Sequence, residues 1–203
     1  MRIKPALIVC SKVALLLASW GVVGYALVAY TTKPAGATVH PEMMRAFQEN
    51  LPVVYAHVFG AAVALIVGPL QFFTGLRARW PAFHRALGRA YLLLGVGIGG
   101  VAGLWMSTFA FGGLTARAAF ATLAVMWLSS GALALRAILR GDAAAHRRWM
   151  MRNFAMTFGA VTLRLMLTGS FALKVPFDTA YPVLAWACWM PNLMVAEWLA
   201  RRG

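Results

Sequence analysis

The sequence predicts an all-α polytopic transmembrane bundle of six helices with both termini cytoplasmic, and three observations carry that prediction. Of the 203 residues, 62% are hydrophobic and only 12% are charged, with a mean hydropathy of +0.73. A soluble domain has about a quarter charged residues and cannot hide so much apolar surface. Second, six apolar segments, at roughly 6–30, 52–73, 86–109, 115–139, 149–173 and 181–200, match the length a bilayer demands. About 20 apolar residues in a helix cross its hydrocarbon layer of about 30 Å.

The third observation is where the basic residues fall. Arg2, Lys4, Arg77, Arg79, Arg85, Arg89, Arg136, Arg140, Arg147, Arg148, Arg152, Arg201 and Arg202 lie on one side of the six crossings, 13 of the 19. Lys33, Arg45, Arg117 and Lys174, 4 in all, lie on the other, and Lys12 and Arg164 fall inside spans. Short connections rich in Lys and Arg stay cytoplasmic, so the expected home is the inner (plasma) membrane of a bacterium. The net charge of +14 raises nucleic acid as a partner. Membrane topology already accounts for the basic residues, so no nucleic acid is expected. The expected surroundings are the lipid bilayer, including anionic lipids, with a membrane protein partner or a second copy left open.

The first segment opens with "MRIK", as a signal peptide would. Its apolar stretch from Val13 to Tyr30 exceeds a usual signal core and Lys12 interrupts its start, which favours a retained helix. In the connection that follows, "PEMMRAFQEN" suits a brief amphipathic helix with Pro41 at its first position. Met43, Met44 and Phe47 would share one side. His40 beside two methionines also fits copper, but methionine as apolar filler in an interfacial helix is the simpler account.

The second segment carries His57, Gly60, Ala64, Gly68 and Gln71 at offsets of three or four, a small-residue groove with a polar group at each end. Such a stripe either brings another helix close or admits a flat cofactor. Pro69 should bend the helix near its inner end. The third segment begins in "RWPAFHRALGRAY", where Pro81 suits a first helical position and puts His84 in the opening turn. Gly88, Gly95, Gly99 and Gly103 form a second small-residue stripe along it.

After the fourth segment, Gly141 ends one helix and Asp142 caps the next, placing His146 in its opening turn. His146, Met150, Asn153, Thr157, Ala160 and Arg164 then follow helical spacing along one face, about 27 Å from end to end. Polar groups at such depth normally face the bundle interior and often mark function. The plainer account has Asn153 and Thr157 bonding neighbouring helices and Arg164 snorkelling outward. His57 and Arg164 should lie at similar depth, as an outer-side polar site. The sixth segment carries Pro191, Asn192 and Glu197, with Glu197 placed to pair with inner arginines or, less simply, to accept a proton.

Helices three and five therefore both start on the cytoplasmic side with a histidine in the first turn. Arg85 and Arg89 flank His84; Arg147, Arg148 and Arg152 flank His146. The leading expectation is a small redox or cofactor-binding membrane protein. In it His84 and His146 ligate a haem b iron or handle protons, and arginines near the propionates, with Gln71 and Asn153, complete the site. His57 lies nearly a membrane thickness away and cannot join them, and a second haem would have only His40 left to complete it. The alternative is a transport or anionic-lipid-binding protein, since arginines at helix N-termini oppose the macrodipole unless an anion sits between them. A structural membrane subunit, with the same residues as positive-inside anchors and Trp80 and Trp149 in the aromatic belt, is the third reading.

Cys10 and Cys188 fall toward opposite sides, and no CxxC, CxxCH or zinc spacing occurs, which argues against a disulfide, a covalent haem or structural zinc. No Ser–His–Asp set, paired carboxylates, Walker loop or HExxH appears, so whether the chain is an enzyme stays open. With no repeat and no polar tail, residues 1–203 are expected to form one integral membrane domain.

The motifs "GPLQF", "HRALGRAY", "HRRWMMRN" and "VTLRL", in that order over roughly residues 52 to 173, resemble a family of bacterial predicted membrane proteins, domain of unknown function 2306. The resemblance implies a multi-helix inner-membrane protein. Its motif positions here include Gln71, His84, Arg85, Gly88, Arg89, His146, Trp149, Arg152 and Arg164. It implies no reaction.

Overall fold

Apolar runs bounded by proline, glycine and capping groups give eleven α-helices among the described residues, nine of them grouped into six spans. The structure, a computed structural model, describes residues 5–38 and 40–202, with side chains from Val9 to Arg201 apart from Val39. Arg2 and Lys4 of the charge count, and Gly203, lie outside the described residues, as does the side chain of Arg202. The six stretches long and apolar enough to cross a membrane are Val9–Thr32, Leu51–Phe72, Pro81–Ser107, Gly113–Leu139, Ala143–Ala172 and Phe177–Arg201.

The first span is α1 (Pro5–Thr32). Beyond it, α2 (Pro41–Glu49) is the amphipathic helix expected from "PEMMRAFQEN", with Pro41 in its first turn and Met43 and Phe47 buried. Its cap is His40, whose Nδ1 accepts the Glu42 N–H at 3.4 Å. The His40 ring stacks on Phe177 at 5.3 Å, and its Nε2 lies 3.6 Å from Asp178. Rather than a metal ligand, His40 is therefore a latch between α2 and the start of the sixth span.

The second span is α3 (Leu51–Val67), which tightens at Pro69 into a 3₁₀ turn over Pro69–Phe72. A short helix not foreseen from the sequence, α4 (Thr74–Arg79), fills the connection. The third span runs from α5 (Pro81–Ala90) through a π-helical stretch, Tyr91–Ile98, into α6 (Gly99–Ser107). The fourth is α7 (Gly113–Leu139). At its end Gly141 takes a φ of +78°, and Asp142 Oδ1 accepts the Ala145 N–H at 2.8 Å to open α8.

The fifth span consists of α8 (Ala143–Thr157) and α9 (Gly159–Ala172), the sixth of α10 (Phe177–Ala187) and α11 (Met190–Arg202). Pro191 cannot donate to the carbonyl one turn back. Beside it, Asn192 donates from Nδ2 to the next carbonyl, Cys188 O, at 3.0 Å and to Thr162 Oγ1 on α9 at 2.9 Å. Both cysteines are free.

The two small-residue stripes turn out to be the two sides of one interface. A Cβ added at Gly95 would lie 2.9 Å from Ala64 Cβ, one at Gly99 3.0 Å from Ala61 N, and one at Gly60 2.7 Å from Gly99 N. At the two ends, a Cβ on Gly103 would lie 2.8 Å from the His57 ring, and one on Gly88 3.7 Å from Gln71 Oε1. Spans two and three thus run antiparallel with their backbones nearly touching, as small-residue stripes permit in lipid. Of the two readings of that groove, a close helix or a flat cofactor, the structure shows the helix. Gly68, outside that contact, is closed by the Phe154 ring, 2.7 Å from where its Cβ would stand.

Candidate functional site

Three polar constellations occupy different levels of the bundle. Near its middle is a closed network. Tyr91 Oη donates to Asn153 Oδ1 at 2.7 Å and lies 2.7 Å from Thr157 Oγ1. Asn153 Nδ2 donates to Trp127 O at 2.7 Å and to Ser130 Oγ at 2.8 Å. Trp127 Nε1 donates to Thr157 Oγ1 at 2.9 Å. These five residues are buried and tie spans three, four and five together. Gly131 clears the space: a Cβ there would stand 3.4 Å from Asn153 Nδ2. Asn153, placed by sequence reasoning among cofactor-binding residues, has its whole amide engaged by protein. Tyr91, Trp127 and Ser130 were missed; a lone tyrosine in "AYLLLGVGIGG" was the available signal.

The arginine-rich end of the bundle holds the paired histidines. Pro81 starts α5 and Asp142 caps α8, so each histidine sits in a first turn. The two rings are close enough to interact electrostatically, and Arg77 and Arg85 act on His84 as well. His146 Nδ1 lies 2.9 Å from Ala134 O. A carbonyl only accepts, so Nδ1 carries the proton and Nε2 keeps its lone pair. His84 Nδ1 and Gln71 Nε2 are both buried without a hydrogen-bond partner. The Gln71 amide lies beside Gly88, one turn along α5 from His84. Gln71 is held there by the 3₁₀ turn that Pro69 starts. Arg89 is exposed on α5, and Arg148 is half-buried on α8.

Arg152 departs from this group. Its Nε donates to Glu197 Oε2 at 2.7 Å, and its guanidinium lies 4.8 Å from the Trp149 ring centroid. Glu197 also pairs with Arg201 at 2.9 Å, the structural partnership with inner arginines anticipated for it. These side chains, with Trp198, line a groove of about 750 Å³ between spans four, five and six, which neither His84 nor His146 borders.

At the opposite end, near α2, Arg164 lies within electrostatic reach of His57. His57 donates from Nδ1 to Gly99 O at 2.8 Å. Arg164 donates from Nη1 to Ala160 O at 2.8 Å, one turn back on its own helix. The Tyr25 ring lies 5.8 Å from its guanidinium carbon, and Tyr30 and Tyr181 lie within its electrostatic reach, neighbours the sequence did not disclose because they come from spans one and six.

For a haem held by His84 and His146, the donor chemistry is half met. The Ala134 carbonyl that takes the His146 Nδ1 proton would orient a ligating imidazole. The glycine stripe meant to lie against the macrocycle is instead sealed by α3, so the residues present do not fit that group. Among the described residues, no group of three or more His, Cys, Asp or Glu side chains could hold a metal ion.

No curated protein and no solved structure matches the chain. A family model does match, over residues 54–200, and it describes predicted membrane proteins of the domain of unknown function 2306 (DUF2306). With six membrane-length helices and most of its length covered by that model, the chain belongs to the DUF2306 family of multi-pass membrane proteins.

Proposed function

We propose that this membrane protein binds an anionic group, a phosphate or carboxylate of a lipid headgroup or small solute, at its arginine-rich end. The observation that carries this reading is the pair of buried, unpartnered atoms, His84 Nδ1 and Gln71 Nε2. Leaving a buried polar group unsatisfied costs about 1–3 kcal/mol. Two such groups one helical turn apart call for a polar ligand. Gln71 Nε2 can only donate, and Arg77 and Arg85 add cationic character around His84. An anion answers all of these groups together, and Arg89 and Arg148 add charge at the rim.

The charge bias of the connections supports placing this end in the cytoplasm of a bacterial inner membrane, so the ligand would come from the cytoplasmic leaflet or solution. The experiment is native mass spectrometry of the purified chain with phosphatidylglycerol or inorganic phosphate. Gln71→Ala and His84→Ala should each weaken binding about tenfold. Equal binding by wild type and both variants would overturn the assignment. The same preparation decides against or for a haem at His84 and His146: a Soret band lost in His146→Ala would replace the anion reading.

A further inference from the structure

Arg164 is a guanidinium deep in a span without an acidic partner. It stands eight residues inside the α2 end of the fifth span, about 12 Å of helix. Its Nη1 bonds only its own helix, and its Nε is buried with no hydrogen-bond partner. Arginine cannot discharge itself by losing a proton. A charge at that depth in lipid must find a partner or a polar cavity.

The chain's own acids are spent elsewhere. Glu49 pairs with Arg45, Asp178 with His40, and Glu197 with Arg152 and Arg201. Asp142 caps α8 at the other end, and Glu42 lies in the exposed first turn of α2.

What surrounds Arg164 is aromatic and hydroxylic. The Tyr25 ring lies 5.8 Å from the guanidinium carbon, held by its hydroxyl donating to Thr38 Oγ1 at 3.1 Å. Tyr30 and Tyr181 are within electrostatic reach. Tyr25 itself is 48% exposed, so this side of the site opens to the flank of the bundle.

We propose that Arg164, with Tyr30 and Tyr181, forms a second anion-binding site at the α2 end, taking an oxyanion such as a phosphate or a carboxylate. The free Nε supplies half of the fork that grips an oxyanion, and phenol hydroxyls supply further donors. Its source is either a phospholipid headgroup drawn down beside Tyr25 or a free anion from solution. The site rests on Arg164 and is independent of the His84 and Gln71 pair.

The test is a titration of the detergent-purified full chain with short-chain phosphatidylglycerol in one arm and inorganic phosphate in the other, followed by native mass spectrometry. Wild type is compared with Arg164→Gln and Arg164→Lys. Both variants keep the arginine-rich end intact, so the difference from wild type isolates this site. The expected result is one bound equivalent lost or weakened at least tenfold in Arg164→Gln. In Arg164→Lys, which keeps the charge without the fork, a smaller loss is expected. A loss confined to the lipid arm assigns a headgroup; a loss in the phosphate arm assigns a free anion. Identical titrations for wild type and Arg164→Gln, or no binding of either probe to wild type, overturn the proposal. If Arg164→Gln fails to fold, Tyr30→Phe and Arg164→Lys carry the comparison, and unchanged binding in both overturns it equally.

Discussion

Replacing Asn153 with alanine tests whether the mid-bundle network is a structural clasp. The substitution removes three side-chain hydrogen bonds, to Tyr91 Oη, Trp127 O and Ser130 Oγ. Hydrogen bonds between membrane helices average about 0.6 kcal/mol each and reach about 1.7 kcal/mol. Three of them put the loss at about 2 kcal/mol, with a small addition for the void beside Gly131. The partners left behind are not orphaned, which keeps the cost moderate. Tyr91 still meets Thr157, and Ser130 still donates to Trp127 O at 3.0 Å. Tyr91→Phe removes two contacts and should cost about 1 kcal/mol on the same scale. Because the two variants share one bond, the double variant should fall short of their sum by about 0.6 kcal/mol. Equilibrium unfolding in mixed micelles, monitored by tryptophan fluorescence, measures all three. An Asn153→Ala protein within about 0.5 kcal/mol of wild type, or a cycle with no coupling, would refute the clasp.

Further expectations follow from particular contacts. Gly60→Ala should destabilise by about 1–3 kcal/mol, since its Cβ would stand 2.7 Å from backbone on α6. Gly21→Ala, which meets nothing within 4 Å, should be neutral or slightly stabilising in the same unfolding assay. His40→Ala should cost about 0.5–2 kcal/mol through loss of the α2 cap, and should raise protease cleavage near Pro41. A reporter fused after Gly203 should be active only in a cytoplasmic format; a periplasmic signal would reverse the topology drawn from the 13 to 4 charge bias.

Much of the fold was legible because lipid imposes a length and forbids unpaired backbone. The six spans, the amphipathic helix at Pro41, the helix start at Pro81 and the cap at Asp142 all follow from local chemistry. The π-helical stretch at Tyr91–Ile98 was not legible, since "YLLLGVGIGG" is equally apolar in any helical register. Nor was α4, whose six residues carry no apolar period. On the site side, spacing alone singled out His57 with Arg164 and His84 with His146. It could not say which neighbours they meet. Tyr30 and Tyr181 are 134 and 17 residues from Arg164 in the chain, so periodicity within one helix is blind to them.

What the sequence alone determined is the solvent, the number of crossings and the level of each polar group, because these depend on hydropathy and helical rise. The tertiary structure decided what each polar or small residue faces, because that depends on how helices rotate and pack. Periodicity left the glycine stripes free to admit a cofactor or a helix; packing gave each to the other. By the same packing, Asn153 became a clasp, Arg152 turned to Glu197, and one buried nitrogen each of Arg164, Gln71 and His84 was left with its hydrogen bond unanswered.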